Sequence, residues 1–129
     1  MAKVHNPSTV AKPVGAYSNA IEVPAGARWL YIAGQIGIKP DGSVPDHFAD
    51  QAHQAWRNVV ALLDAAGMGV ENLVHVNHWL TEQAQYEIYA DIRAQYLGDA
   101  RPAATLVVVR DLVKPGFLVE VGAVAAKVD

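Results

Sequence analysis

The order of patterns along the chain predicts an α+β fold. It runs strand, strand, helix, strand, helix, strand, strand, with both helices on one face of a sheet. Three observations carry this. Residues 48–66 and 83–97 space their apolar side chains at the helical period, and a glycine follows each window. The other apolar segments are short, rich in β-branched and aromatic residues, and bounded by Gly and Pro, as strands are. Finally, two helices cover only one face of a sheet, yet residues 103–109 and 117–126 are apolar on both faces. The second face is therefore expected to pack against other copies of the chain, as a homo-oligomer.

Residues 6–16 hold Asn6-Pro7-Ser8, Lys12-Pro13 and Gly15, the turn chemistry of a loop. Residues 17–23 read as a short strand, closed by Pro24-Ala25-Gly26, and residues 28–33 alternate as a second. The pair is expected to form a hairpin. Gly34 and Gly37 mark a bulge or a close backbone approach, and Pro40-Asp41-Gly42-Ser43 marks a turn. In the first helix Ala52, Trp56, Val59, Val60 and Leu63 make the buried stripe, with Gln51, Gln54, Arg57 and Asp64 off it. Gly67 sits where a C-terminal cap belongs.

Residues 73–80 return to strand, with Val74, Val76, His78 and Leu80 on one face and Leu73, His75, Asn77 and Trp79 on the other. Thr81 is placed to cap the second helix, which buries Ile88, Ile92 and Tyr96 and ends at Gly98-Asp99. Two strands separated by Lys114-Pro115-Gly116 complete the chain. Val107, Val108 and Val109 are apolar without alternation, which predicts burial on both faces. Into this setting the chain puts one carboxylate, Glu120. A buried acid is costly unless paired or used, so Glu120 is the first candidate for function.

Composition narrows the classes. A chain of 129 residues, 52% hydrophobic and 18% charged, is expected to be one globular domain with a real core. A net charge of −3 with scattered Lys and Arg argues against a nucleic-acid partner. Without cysteine there is no disulfide, thiolate metal site or thiol nucleophile, as expected in a reducing compartment. No signal-peptide or membrane-spanning run is present, so the expected location is the cytoplasm, with no membrane partner.

Other constellations read as structural. His75 and His78, three apart on a strand, point to opposite faces and cannot share a metal. His47 and His53 are poorly placed to chelate together, so no metal or other cofactor is expected. Gly34-Gln35-Ile36-Gly37 is too sparse for a phosphate loop. Tyr86, Tyr89 and Tyr96 recur at helical spacing and read as core or interface packing. Tyr17, on a loop entering a strand, is either a packing residue or a hydroxyl for a ligand or water.

Several separated segments match one family in order. They are Pro13-x-Gly15-x-Tyr17-Ser18-x-Ala20, Ala33-Gly34-Gln35-Ile36, Pro40-x-Gly42-x-Val44-Pro45, Ala65-Ala66-Gly67, Pro102-Ala103-x-Thr105 and Val119-Glu120-Val121-x-Ala123-Val124-Ala125. Together they resemble the RidA (YjgF/YER057c/UK114) family of reactive imine and enamine deaminases. The resemblance implies a chorismate-mutase-like fold with a mixed β-sheet, a homotrimer, and small-molecule clefts between subunits. By position it places Glu120 and Tyr17 as the residues that hold and activate the attacking water. It places Ala33, Gly34, Tyr89, Ala104 and Thr105 against the substrate.

Three of these positions depart from the family pattern. Ala33 stands where a serine is frequent, and Tyr89 where an asparagine is common. Ala104 stands where an arginine clamps the substrate carboxylate. Arg101 precedes the proline and, three residues away on an extended segment, should project elsewhere. The chain thus looks like an arginine-lacking subgroup. A bidentate guanidinium–carboxylate pair supplies both affinity and orientation, and alanine supplies neither. Hydrolysis of 2-iminopropanoate itself is therefore not favoured, and a less anionic imine, enamine or related metabolite is expected. A guanidinium from a neighbouring subunit, with Arg28, Arg93, Arg101 and Arg110 as candidates, would restore the charge. The leading reading is a hydrolase of the deaminase type. The alternatives are a non-catalytic ligand-binding trimer, and a ribonuclease or translation inhibitor, a label the family has also carried.

Overall fold

The computed structural model describes residues 2–129. Its elements are β1 (Lys3–His5), β2 (Ala20–Glu22), β3 (Arg28–Ile36), α1 (Phe48–Ala65), β4 (Leu73–Leu80), α2 (Tyr86–Leu97), β5 (Ala103–Val108) and β6 (Val119–Lys127). The last four long strands form one mixed sheet in the order β3-β6-β4-β5, in which only β4 and β5 are parallel. Parallel neighbours require a crossover, and α2 supplies it. Both helices lie on one face, where Trp56, Val59 and Leu63 of α1 and Tyr89 and Ile92 of α2 are buried with Val76, Leu80, Val119, Val121 and Ala125 of the sheet.

Two expected features change. The hairpin of residues 17–33 does not form, because β2 pairs with β1 and β3 pairs with β6. A three-residue strand offers few ladder bonds, whereas nine-residue β6 pairs with β3 at seven registered positions. The second difference lies at β5, which is an edge strand. There Val107 is 41% and Val108 47% exposed in the single chain, so the expected two-sided burial is absent within it.

Helix α1 ends as its glycine predicts. Gly67 has φ +68°, and Met68 N–H reaches back to the Leu63 carbonyl at 2.9 Å, the left-handed closing turn of a Schellman motif. Two cations from the sheet finish that terminus: Arg28 donates to the Ala66 carbonyl and Lys127 to that of Gly67. The polar side of α1 differs from what its spacing predicts: Gln51 and Gln54 are buried and Val60 is partly exposed. Gln51 donates to the Pro45 and Gly116 carbonyls and accepts from Leu118 N–H. It ties the loop before α1 to the loop before β6, a long-range demand that helical spacing does not express.

The second helix starts later than expected, after a 3₁₀ turn at Gln83–Gln85. Thr81 is not its cap. The Gln85 side-chain carbonyl takes the N–H groups of Thr81 and Glu82, and the Thr81 hydroxyl instead donates to the Leu118 carbonyl. The buried set of α2 is Tyr89, Ile92, Arg93 and Leu97, so Ile88, at 53% exposure, falls one residue off the stripe. In β4 a register irregularity between Leu73 and His75 turns Leu73 into the core alongside Val76, His78 and Leu80. Val74 is thereby displaced from the face that simple alternation assigns it.

Candidate active site on the open face of the sheet

Alternation along β6 puts Val119, Val121, Ala123 and Ala125 under the helices and leaves Glu120 on the opposite, uncovered face. There it is flanked by its cross-strand partners Trp79 of β4 and Ile36 of β3. Its carboxylate lies over the backbone of Gly34. A Cβ at Gly34 would sit 2.1 Å from Glu120 Oε2 and 2.8 Å from its carboxyl carbon. Any side chain at 34 would have to displace that carboxylate, which is the close approach the sequence predicts.

The β-bulge also forms. Three steps on β3, from Ile32 to Gln35, oppose two on β6, from Ala123 to Val121. Ala33 and Gly34 are the extra stretch, opposite Gly122. The Trp79 ring lies across Gly122, where a Cβ would meet it at 3.4 Å and the Gly34 Cα at 3.6 Å. Two glycines thus make a low floor, Trp79 makes a wall, and Glu120 is the single carboxylate set between them. Thr105 of β5 pairs with Asn77 of β4, which pairs with Gly122, so Thr105 extends this band to the sheet edge.

Tyr17 lies on the loop before β2. Its hydroxyl accepts from Val14 N–H at 3.3 Å, and its ring covers Gly15. The next residue fixes this loop to the start of β5: Ser18 N–H donates to the Pro102 carbonyl at 3.1 Å and its hydroxyl to that of Arg101. Tyr17 is therefore anchored at the mouth of the Pro102-Ala103-Ala104-Thr105 segment.

Two sequence-predicted site residues lie on the other side of the sheet. Ala104 pairs with Val76, whose side chain is in the helix-covered core. Tyr89, which the resemblance places against the substrate, is fully buried in the helix-covered core, on the face opposite Glu120. Its hydroxyl accepts from Trp56 Nε1–H at 3.1 Å and bonds His78 Nδ1. Burial, then the nearby charges of Arg93 and His75, push the His78 ring down to about 3, so it is neutral at pH 7. A tryptophan N–H can only donate, so the Tyr89 oxygen accepts from Trp56 and keeps its own proton free for the His78 bond. Burial likewise raises the Tyr89 hydroxyl well above its ordinary range.

The sequence reading missed Trp79 and Gly122. The signal was available: Gly122 interrupts an apolar strand two residues after Glu120, where a side chain or backbone must pass closely. Three of the four arginines named as rescues have partners within the chain, and the fourth, Arg93, is buried. Arg28 pairs with Asp129 at 2.7 Å, Arg101 donates to the Gly98 and Ala100 carbonyls, and exposed Arg110 lies 3.4 Å from Asp111. Among the described residues no group of three or more potential ligands could hold a metal ion. Nor is any described helix long and apolar enough to cross a membrane.

Comparison with known proteins agrees with this architecture. The family model described as Endoribonuclease L-PSP matches residues 8–127. A RutC family protein of Pyrococcus horikoshii is 35% identical over 118 residues, covering 90% of each chain. A 2-iminobutanoate/2-iminopropanoate deaminase of Bos taurus is 34% identical over 124 residues, covering 93% of this chain and 88% of that one. Among solved structures, a Rid family protein of unknown function from Yersinia pestis superposes with a TM-score of 0.86 at 27% identity, covering 98% of both chains. With the helix-backed mixed sheet and matches along nearly its whole length, the chain belongs to the RidA (YjgF/YER057c/UK114) family.

Proposed function

We propose that this chain hydrolyses the C–N bond of a small imine or enamine in a cleft between subunits of a homotrimer. The observation that carries the reading is the Glu120 carboxylate seated over Gly34 on an uncovered sheet face, walled by Trp79. The matched deaminases support the reaction class. An enamine takes a proton from solvent at carbon, and an imine takes one at nitrogen, so either enters as the iminium ion. Glu120 then takes a proton from water as the oxygen bonds to the imine carbon, giving a carbinolamine. Glu120 returns that proton to nitrogen, the C–N bond breaks with its electron pair leaving on ammonia, and the hydroxyl proton passes to Glu120 as the carbonyl compound forms. Tyr17 holds the water or the substrate through its hydroxyl. Ala33, Gly34 and Thr105 line the surface against which the substrate lies.

An assembly is supported by the uncovered face itself. It exposes Trp29 and Tyr31, the latter at 77%, and Val107 at the β5 edge. Glu120 and Ala104 also lie on opposite faces of one sheet. Both can border one cleft only if two subunits contribute.

Ala104, in place of a carboxylate-binding arginine, favours a second reading: a ligand-binding trimer without turnover. Ammonia release from freshly generated imines, compared between the wild type and Glu120→Gln, separates the two. Hydrolysis that falls by about 10²–10⁴-fold in Glu120→Gln supports the enzyme. No wild-type release from charged or uncharged imines, with ligand binding retained, supports the binder. The family model's ribonuclease description finds little support in a chain with net charge −3.

A further inference from the structure

Glu120 and Trp79 lean onto the same ground. They are direct cross-strand partners on the uncovered face, so their side chains start side by side. Neither stays above its own position. The Glu120 carboxylate reaches sideways over Gly34 of the bulge. The far rim of the Trp79 indole, Cζ3 and Cη2, reaches over Gly122, where a Cβ would meet these atoms at 3.4 and 3.6 Å and the Gly34 Cα at 3.6 Å. The carboxylate and the ring therefore border one shallow patch that has no side chain of its own. Trp79 is only half-buried, so part of its ring stays open to a ligand.

The charge of this face is as simple as its floor. The strands of the four-stranded sheet carry two Lys or Arg side chains, Arg28 and Lys127, and both turn to the helix side, where they bond the carbonyls that end α1. Their one Asp or Glu is Glu120. The nearest imidazole on that face, His75, pairs with Val124, four residues along β6 from Glu120 and so about 13 Å away along the strand. The strands thus give the uncovered face one fixed charge beside Trp79, and it is negative. A carboxylate attracts a cation and repels an anion. An aromatic ring adds to the preference for a cation and also favours a flat group that can stack on it.

We propose that Trp79 is the specificity-determining residue of this site, and that it selects a planar iminium cation bearing an aromatic or conjugated substituent and no carboxylate. The substituent stacks on the indole, the iminium group lies between the ring and Glu120, and the two glycines let a flat ligand down onto the sheet. The inference rests on the hydrolytic reading above and deepens it by naming the substrate class. Oxidation of an arylmethylamine is the kind of reaction that supplies such an imine. Glu120 remains the base, and Trp79 moves no proton.

Benzamidinium is a stable stand-in, a flat aryl group on a cationic carbon–nitrogen centre. The test is calorimetric titration of the full-length protein with benzamidinium, acetamidinium, benzamide and benzoate. Wild type should bind benzamidinium about tenfold tighter than acetamidinium, which lacks the ring, or benzamide, which lacks the charge. Benzoate should bind weakest. Trp79→Leu should abolish the preference for benzamidinium over acetamidinium, and Trp79→Phe should keep most of it. That ratio is the readout, because a merely structural role of Trp79 would weaken both ligands alike. Failure of wild type to bind benzamidinium, or equal affinity for it and acetamidinium, overturns the proposal. So does benzoate that binds as tightly, or a ratio unchanged in Trp79→Leu. The wild-type series decides by itself if Trp79→Leu does not assemble. Ammonia release from benzaldimine, generated by an amine oxidase, reads turnover separately. Selectivity without release keeps Trp79 as the selector and sinks the hydrolytic reading, whereas release without selectivity does the reverse.

Discussion

Glu120 and Gly34 are a single unit, because the carboxylate occupies the space that any side chain at 34 would need. Gly34→Ala should displace the carboxylate and cut turnover by about a hundredfold, the usual cost of misplacing a reacting group by an ångström. The strand itself should survive, so steady-state kinetics beside a melting curve checks the prediction. Equal activity in Gly34→Ala would mean that this carboxylate position is not the working one. Across the sheet, the Trp56–Tyr89–His78 chain bonds three buried polar groups to one another. Tyr89→Phe leaves the indole N–H and the imidazole acceptor without partners and should cost about 1–3 kcal/mol in urea unfolding.

His78 also makes stability depend on pH. Its folded value is lowered to about 3 from an ordinary 6.5, so between these the unfolded chain binds a proton that the folded chain refuses. Its contribution is fully present above 6.5 and lost as pH falls, by about 1.4 kcal/mol per unit. Urea unfolding of wild type and His78→Gln between pH 6.5 and 5 should show a flatter slope for the variant. Identical slopes would mean that the ring titrates as it does in the unfolded chain.

At the scale of elements, α1, β4 and the turns were legible because their signals are local. Gly67 closes its helix with a positive φ, and Gly42 at φ +89° closes the turn at Asp41, as their spacing implies. The partner of β2 was not legible, since pairing is a competition among distant segments that alternation alone cannot rank. The start of α2 was missed for a similar reason. A glutamine side chain four residues on from the obvious threonine satisfies the free N–H groups. Edge strand β5 carries its own prediction. Val107 lies on the uncovered face and at the edge, so Val107→Glu should break the assembly while leaving the helix-backed core intact. Far-ultraviolet circular dichroism and sedimentation together read both effects.

For the whole molecule, the uncovered face decides what the single chain can do. Light scattering should give three times the chain mass of 13.8 kDa. A monomer that still hydrolyses an imine would remove the need for a shared cleft. The sequence by itself determined the element types, the helix-backed sheet, the glycine approach near residue 34 and the candidacy of Glu120, because periodicity, turn chemistry and an isolated acid are local properties. Only the tertiary structure decided that β3 pairs with β6, that Trp79 and Gly122 frame Glu120, and that Ala104 and Tyr89 face away from it. It alone also showed Arg93 buried, with its Nε lacking a hydrogen-bond partner among the described residues. Strand register assigns each residue to a face, and register is set by the competition of all strands at once.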